Sequence, residues 1–171
     1  MTELDDIWTS MLASAAENPT AVDRDVADFL ALKASNDQIR QAAVKWLFDG
    51  LTQIAAEANR RKLPVSVENA ESHRFDYRGA NIVGSLLRLR RGVRSLSLEA
   101  GWTRSPGDGF MRGGAMAVAR ISHFGIKEAG ADLILIRHES VPIWCSIDRQ
   151  ETRIEFRLHD LMKHFAIFIG E

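Results

Sequence analysis

The hydrophobic spacing of this chain changes at Pro64 from a period of about 3.6 residues to a period of two. A stripe at helical spacing cannot lie on one face of a strand, so the two blocks must fold as helix first and sheet second. Segregated blocks of this kind predict an α+β fold with an antiparallel sheet and exclude the βαβ alternation of a dinucleotide-binding fold.

Before Pro64, Leu4, Ile7, Trp8, Met11, Leu12 and Ala15 form one stripe, ended by Asn18-Pro19. Val22, Val26, Phe29 and Leu30 form a second, opened by Thr20 and Asp23. Ser35 followed by Gln38 has the form of a capping box and predicts that the longest helix begins at Asn36 and runs to Arg61. Its stripe of Ile39, Ala43, Trp46, Leu47, Gly50 and Ile54 puts the Trp46 side down on the sheet. Arg60, Arg61 and Lys62 suit the negative end of its dipole.

After Pro64, Val65, Val67 and His73–Tyr77 alternate as one or two strands. Ile82–Trp102 reads as a hairpin, and a two-residue turn at Arg91-Gly92 sets Leu87 opposite Leu96. Leu87, Leu89, Leu96 and Leu98 then share one face, and Arg88, Arg90, Ser95, Ser97 and Glu99 share the other, while Arg94 falls opposite Leu89. Met116–His123 and Ala131–Arg137 follow as strands. The unbroken apolar run Leu133–Ile136 predicts a strand covered on both faces. A second hairpin with its loop at Arg149–Thr152 sets Ile147 against Ile154, Cys145 against Phe156 and Ile143 against Leu158, all inward. It places Arg153 beside Asp148 and Arg157 beside Trp144 on the outer face. The tail fits a helix with Leu161, Phe165 and Phe168 inward, or one more strand.

The expected architecture is a single domain with N-terminal helices packed on an antiparallel β-meander of about five to seven strands and a C-terminal helix. Residues 1–62 form the helical layer, 63–158 the sheet and 159–171 the final helix or strand. The single cysteine, Cys145, excludes an internal disulfide and fits a reducing compartment. Met1–Asp6 is acidic, and no apolar run approaches the ~20 residues that span a bilayer, so the chain reads as cytoplasmic with no membrane partner.

Net charge is only −1, but it is unevenly spread. Residues 1–57 carry ten acids against four bases, and residues 63–126 carry nine arginines, five acids and no lysine. Arginine offers a planar fork of donors matched to carboxylate, phosphate or an aromatic face, where lysine offers a mobile point charge. Arg88 and Arg90 share a strand face, and Ser105–Gly114 is a long loop in which Gly107, Gly109, Gly113 and Gly114 flank Arg112. Such a loop suits an anion-cradling nest of N–H groups, although it lacks the Lys-Ser/Thr of a P-loop and precedes a strand. Arg88, Arg90, Arg112 and Gly113 are therefore the ligand-binding candidates, for an anionic small molecule or an acidic protein partner. A purely structural role is open to the same arginines, paired with Glu99 or with Asp23, Asp25 and Asp28 of the helices. No aromatic lies between Leu86 and Leu98, which argues against a nucleic-acid platform.

The five histidines form no metal-ligand spacing, and no nucleophile elbow or cofactor motif is present, so neither metal nor cofactor is expected. Two readings follow. One is a binding or interaction module for an anionic ligand or acidic partner, as a homodimer whose N-terminal helix is open to exchange between subunits. The other is a small enzyme acting on an anionic metabolite through His73, Asp76, His138 and Glu139.

Overall fold

A computed structural model describes residues 19–171. The stripe Leu4–Ala15 lies outside the described residues, as do the side chains of Thr20, Val22 and Asp23. Helix α1 spans Pro19–Arg60 without interruption, so the expected break at Ser35 does not occur. No glycine or proline stands between Thr20 and Asp49. With nothing to stop it, each further residue adds a backbone hydrogen bond, and the capping box is overrun.

Seven strands follow in chain order, β1 Ser66–Tyr77, β2 Ala80–Arg91, β3 Arg94–Trp102, β4 Ala117–His123, β5 Ala131–His138, β6 Val141–Ile147 and β7 Arg153–Glu155. Each pairs antiparallel with the next, giving one meander. Helix α2, Leu158–Ile169, closes the chain. The fold is α+β, as the change of period at Pro64 requires. Among the described residues no helix is long and apolar enough to cross a membrane.

In the first hairpin Leu89 pairs with Leu96 and Leu87 with Leu98, two residues away from the expected alignment. The shift is even, so each face keeps its side chains. The turn is Gly92-Val93 with φ of +59° at Gly92, the glycine-first geometry of a type II′ turn. Arg94 consequently sits opposite Arg91 and not Leu89. Both reach the open carbonyls of α2, Arg91 donating to Ile169 O at 3.0 Å and Arg94 to Ile167 O at 3.3 Å.

The second hairpin is one residue away from expectation, and an odd shift exchanges the faces. Cys145 pairs with Glu155, Ser146 with Ile154 and Ile147 with Arg153. Asp148 sets this alignment, its carboxylate accepting the N–H groups of Gln150 at 2.9 Å and Thr152 at 2.8 Å. Ile143, Cys145 and Ile147 turn to the outer face, Ile154 is exposed and Leu158 starts α2, also exposed, while Phe156 and Trp144 are buried in the inner core. Arg157 pairs with Glu155 at 2.6 Å, not with Trp144.

The inner face of the sheet packs on Leu47, Leu51, Ala55 and Ala58 of α1 and on Leu161, Phe165 and Phe168 of α2. Trp46 is 41% exposed, so the buried stripe of α1 is centred on Leu47 and Leu51 and not on Trp46. Among the described residues, none of α1 before Ile39 is in the core, and Leu30 and Leu32 are exposed there. Leu133 and Leu135 face this core and Ile134 faces a second one, so β5 is covered on both sides as expected.

The second core lies on the outer face and joins Phe75, Tyr77, Ala80 and Ile82 to Val118, Ile134 and Cys145. Strands β1 and β5 are four places apart, ~19 Å in a flat sheet. Tyr77 and Ile134 share a cluster only because the sheet curls. The curl has a local cause. Gly84 and Gly101 face each other across β2 and β3. A Cβ on Gly84 would stand 1.9 Å from Ala100 O, and one on Gly101 2.5 Å from Val83 O. At the same level β1 bulges between Ala70 and His73, with φ of +57° at Ser72. The ends of β1 and β2 thereby fold over the outer face.

His123 at the end of β4 and His164 on α2 lie ring to ring, Nε2 to Nδ1 at 3.0 Å. Burial holds both below the usual imidazole range, and burial with the neighbouring His123 takes His164 down to about 4. An imidazole depressed in the folded state gives full stability above its unfolded pKa near 6.5 and loses it as pH falls towards the folded value. Tm is therefore expected to fall between pH 7 and pH 5, before the carboxylates titrate, and His164→Phe is expected to flatten the fall. An equal fall in that variant would exclude the pair as the cause. Gly84→Ala and Gly101→Ala are each expected to cost about 3 kcal/mol in urea unfolding, because the new methyl meets backbone. Gly107→Ala, whose methyl would meet only Ser105 Oγ at 3.8 Å and whose φ is ordinary, is expected to change little.

Candidate functional site

The nine arginines of the sheet region divide by what they touch. Arg91 and Arg94 hold the end of α2. Arg104 lies on the Trp102 ring at 3.6 Å, and Arg74 stands 3.8 Å from Asp108. Arg120 pairs with Asp132 at 3.2 Å directly across β4 and β5 and donates to Asp76 O at 3.1 Å. Arg90 pairs with Glu68 at 3.4 Å and Arg88 donates to Ser97 Oγ at 3.2 Å. Arg78 pairs with Glu151 at 3.4 Å. The Arg112 guanidinium makes no hydrogen bond or ion pair among the described residues, although its carbonyl accepts the Ala115 N–H at 3.4 Å. The acids that neutralise the outer face are thus its own, Glu68 and Asp132, while Asp25 and Asp28 are exposed on the part of α1 before Ile39 and pair with none of these arginines.

The four candidate ligand-binding residues fall in two places. Arg88 and Arg90 line a shallow groove with Ser95, Ser97, Ser122 and the exposed Phe124. Arg112 and Gly113 line a separate cavity of about 240 Å³ between the glycine loop and the curled outer face. The loop is built in two halves. Its first half is pinned by Asp108, whose carboxylate accepts the N–H groups of Arg104 at 3.0 Å and Ser105 at 2.9 Å, the Ser105 hydroxyl and the Asn81 amide. Those bonds, the backbone N–H of Arg104 first, hold the Asp108 carboxyl below its usual range. Its second half runs over the cavity and is tied by Arg153, which donates to Gly113 O at 2.8 Å.

Val118, Ile134, Ile147, Ala80 and Met111 give the cavity an apolar wall. Arg78, Arg112, Arg153 and Glu151 stand around it, so three guanidiniums meet one carboxylate. Tyr77 completes the lining; it is 5% exposed, and its hydroxyl has no hydrogen-bond partner among the described residues. Burial, then the charge of Asp132, pushes its phenol up to about 12, so it stays protonated and serves as a donor and not as a base.

Tyr77, Arg78, Met111 and Arg153 were not among the sequence candidates. Tyr77 is the only tyrosine in the chain and shares strand parity with Phe75, but its long-range neighbours depend on the curl at Gly84. Arg153 was hidden by the one-residue difference in the second hairpin. Of the acid–base candidates, His73 bonds Glu99 at 2.6 Å on the outer face. Asp76 has the opposite strand parity, and His138 and Glu139 lie at the β5–β6 turn. None of the four lines the cavity. Among the described residues no three His, Cys, Asp or Glu side chains gather as a metal site.

This arrangement defines an antiparallel α+β domain with a loop-covered, arginine-rimmed cavity. Compared with known proteins, the chain matches no family model, no curated protein and no solved structure.

Asp108→Ala is expected to free the loop and to speed tryptic cleavage after Arg104 and Arg112 under native conditions, with the sheet still folded by circular dichroism. Cleavage at the parent rate would show that this carboxylate does not hold the loop.

Proposed function

We propose that this domain is a binding module for a small anion, held in the cavity between the glycine loop and the curled sheet, in a reducing compartment that keeps the buried Cys145 thiol intact. The observation that carries the reading is Arg112. Of the nine arginines in residues 63–126 it is the one whose guanidinium has no hydrogen bond, ion pair or ring contact among the described residues, and it stands on a cavity whose cations outnumber its acids. A guanidinium with an empty fork beside an apolar wall attracts an anion more strongly than one in open water, because the wall lowers the local dielectric. The Arg88–Arg90 groove is the weaker place for a ligand, since both guanidiniums already have partners within the sheet.

Thermal unfolding at fixed ionic strength, with benzoate, citrate, sulfate and inorganic phosphate compared against chloride, tests the reading. At a concentration of 100 Kd a bound anion is expected to raise Tm by about 5–10 °C. Arg112→Ala is expected to remove most of that rise, and Arg88→Glu with Arg90→Glu to leave it in place. A rise that survives Arg112→Ala and disappears in the double variant would move the site to the sheet groove and overturn the assignment.

A further inference from the structure

The chemistry around the cavity narrows the ligand beyond its sign, and this narrowing rests on the anion-binding reading above. Positive charge is confined to exposed side chains: Arg78 is engaged by Glu151, Arg153 by Gly113 O, and Arg112 is unengaged. One empty planar fork matches one carboxylate, with two parallel N–H···O bonds. A phosphate needs donors converging on three oxygens. Here the remaining wall is hydrocarbon from Val118, Ile134, Ile147 and Met111, which has no hydrogen bond to give.

Away from the guanidiniums, one buried side-chain polar atom among the described residues is without a partner. The Tyr77 hydroxyl is shut off from water and has no partner among the described residues. An unpaired buried hydroxyl is destabilising, and proteins seldom keep one without a use. Its high pKa keeps the proton on the oxygen, so what it lacks is an acceptor. The size of the space sets the scale: about 240 Å³ is below the range of ~300–1,000 Å³ that holds drug-sized ligands. The segment above it carries glycines at positive φ, Gly109 at +92°, Gly113 at +71° and Gly114 at +70°. Met111 of this segment packs on the cluster that contains Tyr77, and backbone of that kind can swing aside to open that cluster to a ligand, with the Arg153–Gly113 bond as the contact to be released.

We infer that the ligand is a small monocarboxylate with a compact apolar body that carries one hydrogen-bond acceptor, the carboxylate meeting Arg112, the body lying on Val118, Ile134 and Ile147, and the acceptor meeting the Tyr77 hydroxyl. Oxo acids with one ring or a short chain have this form.

Titration calorimetry with matched pairs tests it: 4-acetylbenzoate against benzoate, 5-oxohexanoate against hexanoate, with inorganic phosphate and phenyl phosphate as the other anions. The oxo member of at least one pair is expected to bind about tenfold more tightly than its partner. Tyr77→Phe is expected to erase that tenfold difference while leaving the plain carboxylate unchanged, and Arg112→Ala to weaken both members by tenfold or more. Urea unfolding of each variant confirms that it is folded. Phosphates binding where no carboxylate does would overturn this inference and leave the anion reading standing. No binding of any anion would remove both. An oxo preference that persists in Tyr77→Phe would overturn the role of the hydroxyl.

Discussion

Two glycines that face each other across β2 and β3 govern this structure. Backbone atoms occupy the space in which a Cβ of Gly84 or Gly101 would lie, so the strands approach there as no other residue pair allows. The close approach and the bulge at Ser72 fold the end of the β1–β2 hairpin across the outer face. A flat meander would bury one face against the helices and leave the other wet. The curl gives this sheet a second core, brings Tyr77 to Ile134, and makes the concavity that the glycine loop covers.

Electrostatics on that face are mostly internal. Cross-strand pairs such as Arg120–Asp132 and Arg90–Glu68 balance charge within the sheet, and exposed pairs of this kind contribute about 0–1 kcal/mol each. Their value is in placement: they keep the outer face neutral away from the cavity. Arg91 and Arg94 serve the end of α2, where helix carbonyls lack partners. What is left unbalanced is the loop, with Arg112 above an apolar wall and an unpaired phenol. That is where the proposed anion is placed.

The architecture was legible in the sequence because it depends on period, and period survives small errors of alignment. The change at Pro64, the covered strand Leu133–Ile136 and the inward side of Leu161, Phe165 and Phe168 all follow from spacing alone. The first hairpin kept its faces despite a two-residue shift, since strands repeat every two residues. The second lost them to a one-residue shift, because Asp148 closes its loop with hydrogen bonds that spacing does not reveal. The break at Ser35 misled for a different reason: a capping box permits a helix start but does not compel one when no breaker precedes it. The candidate site was half legible. The glycine loop and Arg112 stood out by composition, whereas Tyr77 and Arg153 arrive through the curl and through the second hairpin. Glycine inside a strand pattern was the available sign of the curl.

The most direct test of the account is a titration of the ¹⁵N-labelled protein with an oxo monocarboxylate, followed by amide chemical shifts. The account predicts that the largest, saturable shifts fall at Tyr77, Arg78, Met111–Gly114 and Arg153, with little change at Arg88, Arg90 and Ser95–Ser97. Saturable shifts centred on Arg88, Arg90 and Ser97, with the glycine loop unmoved, would contradict it.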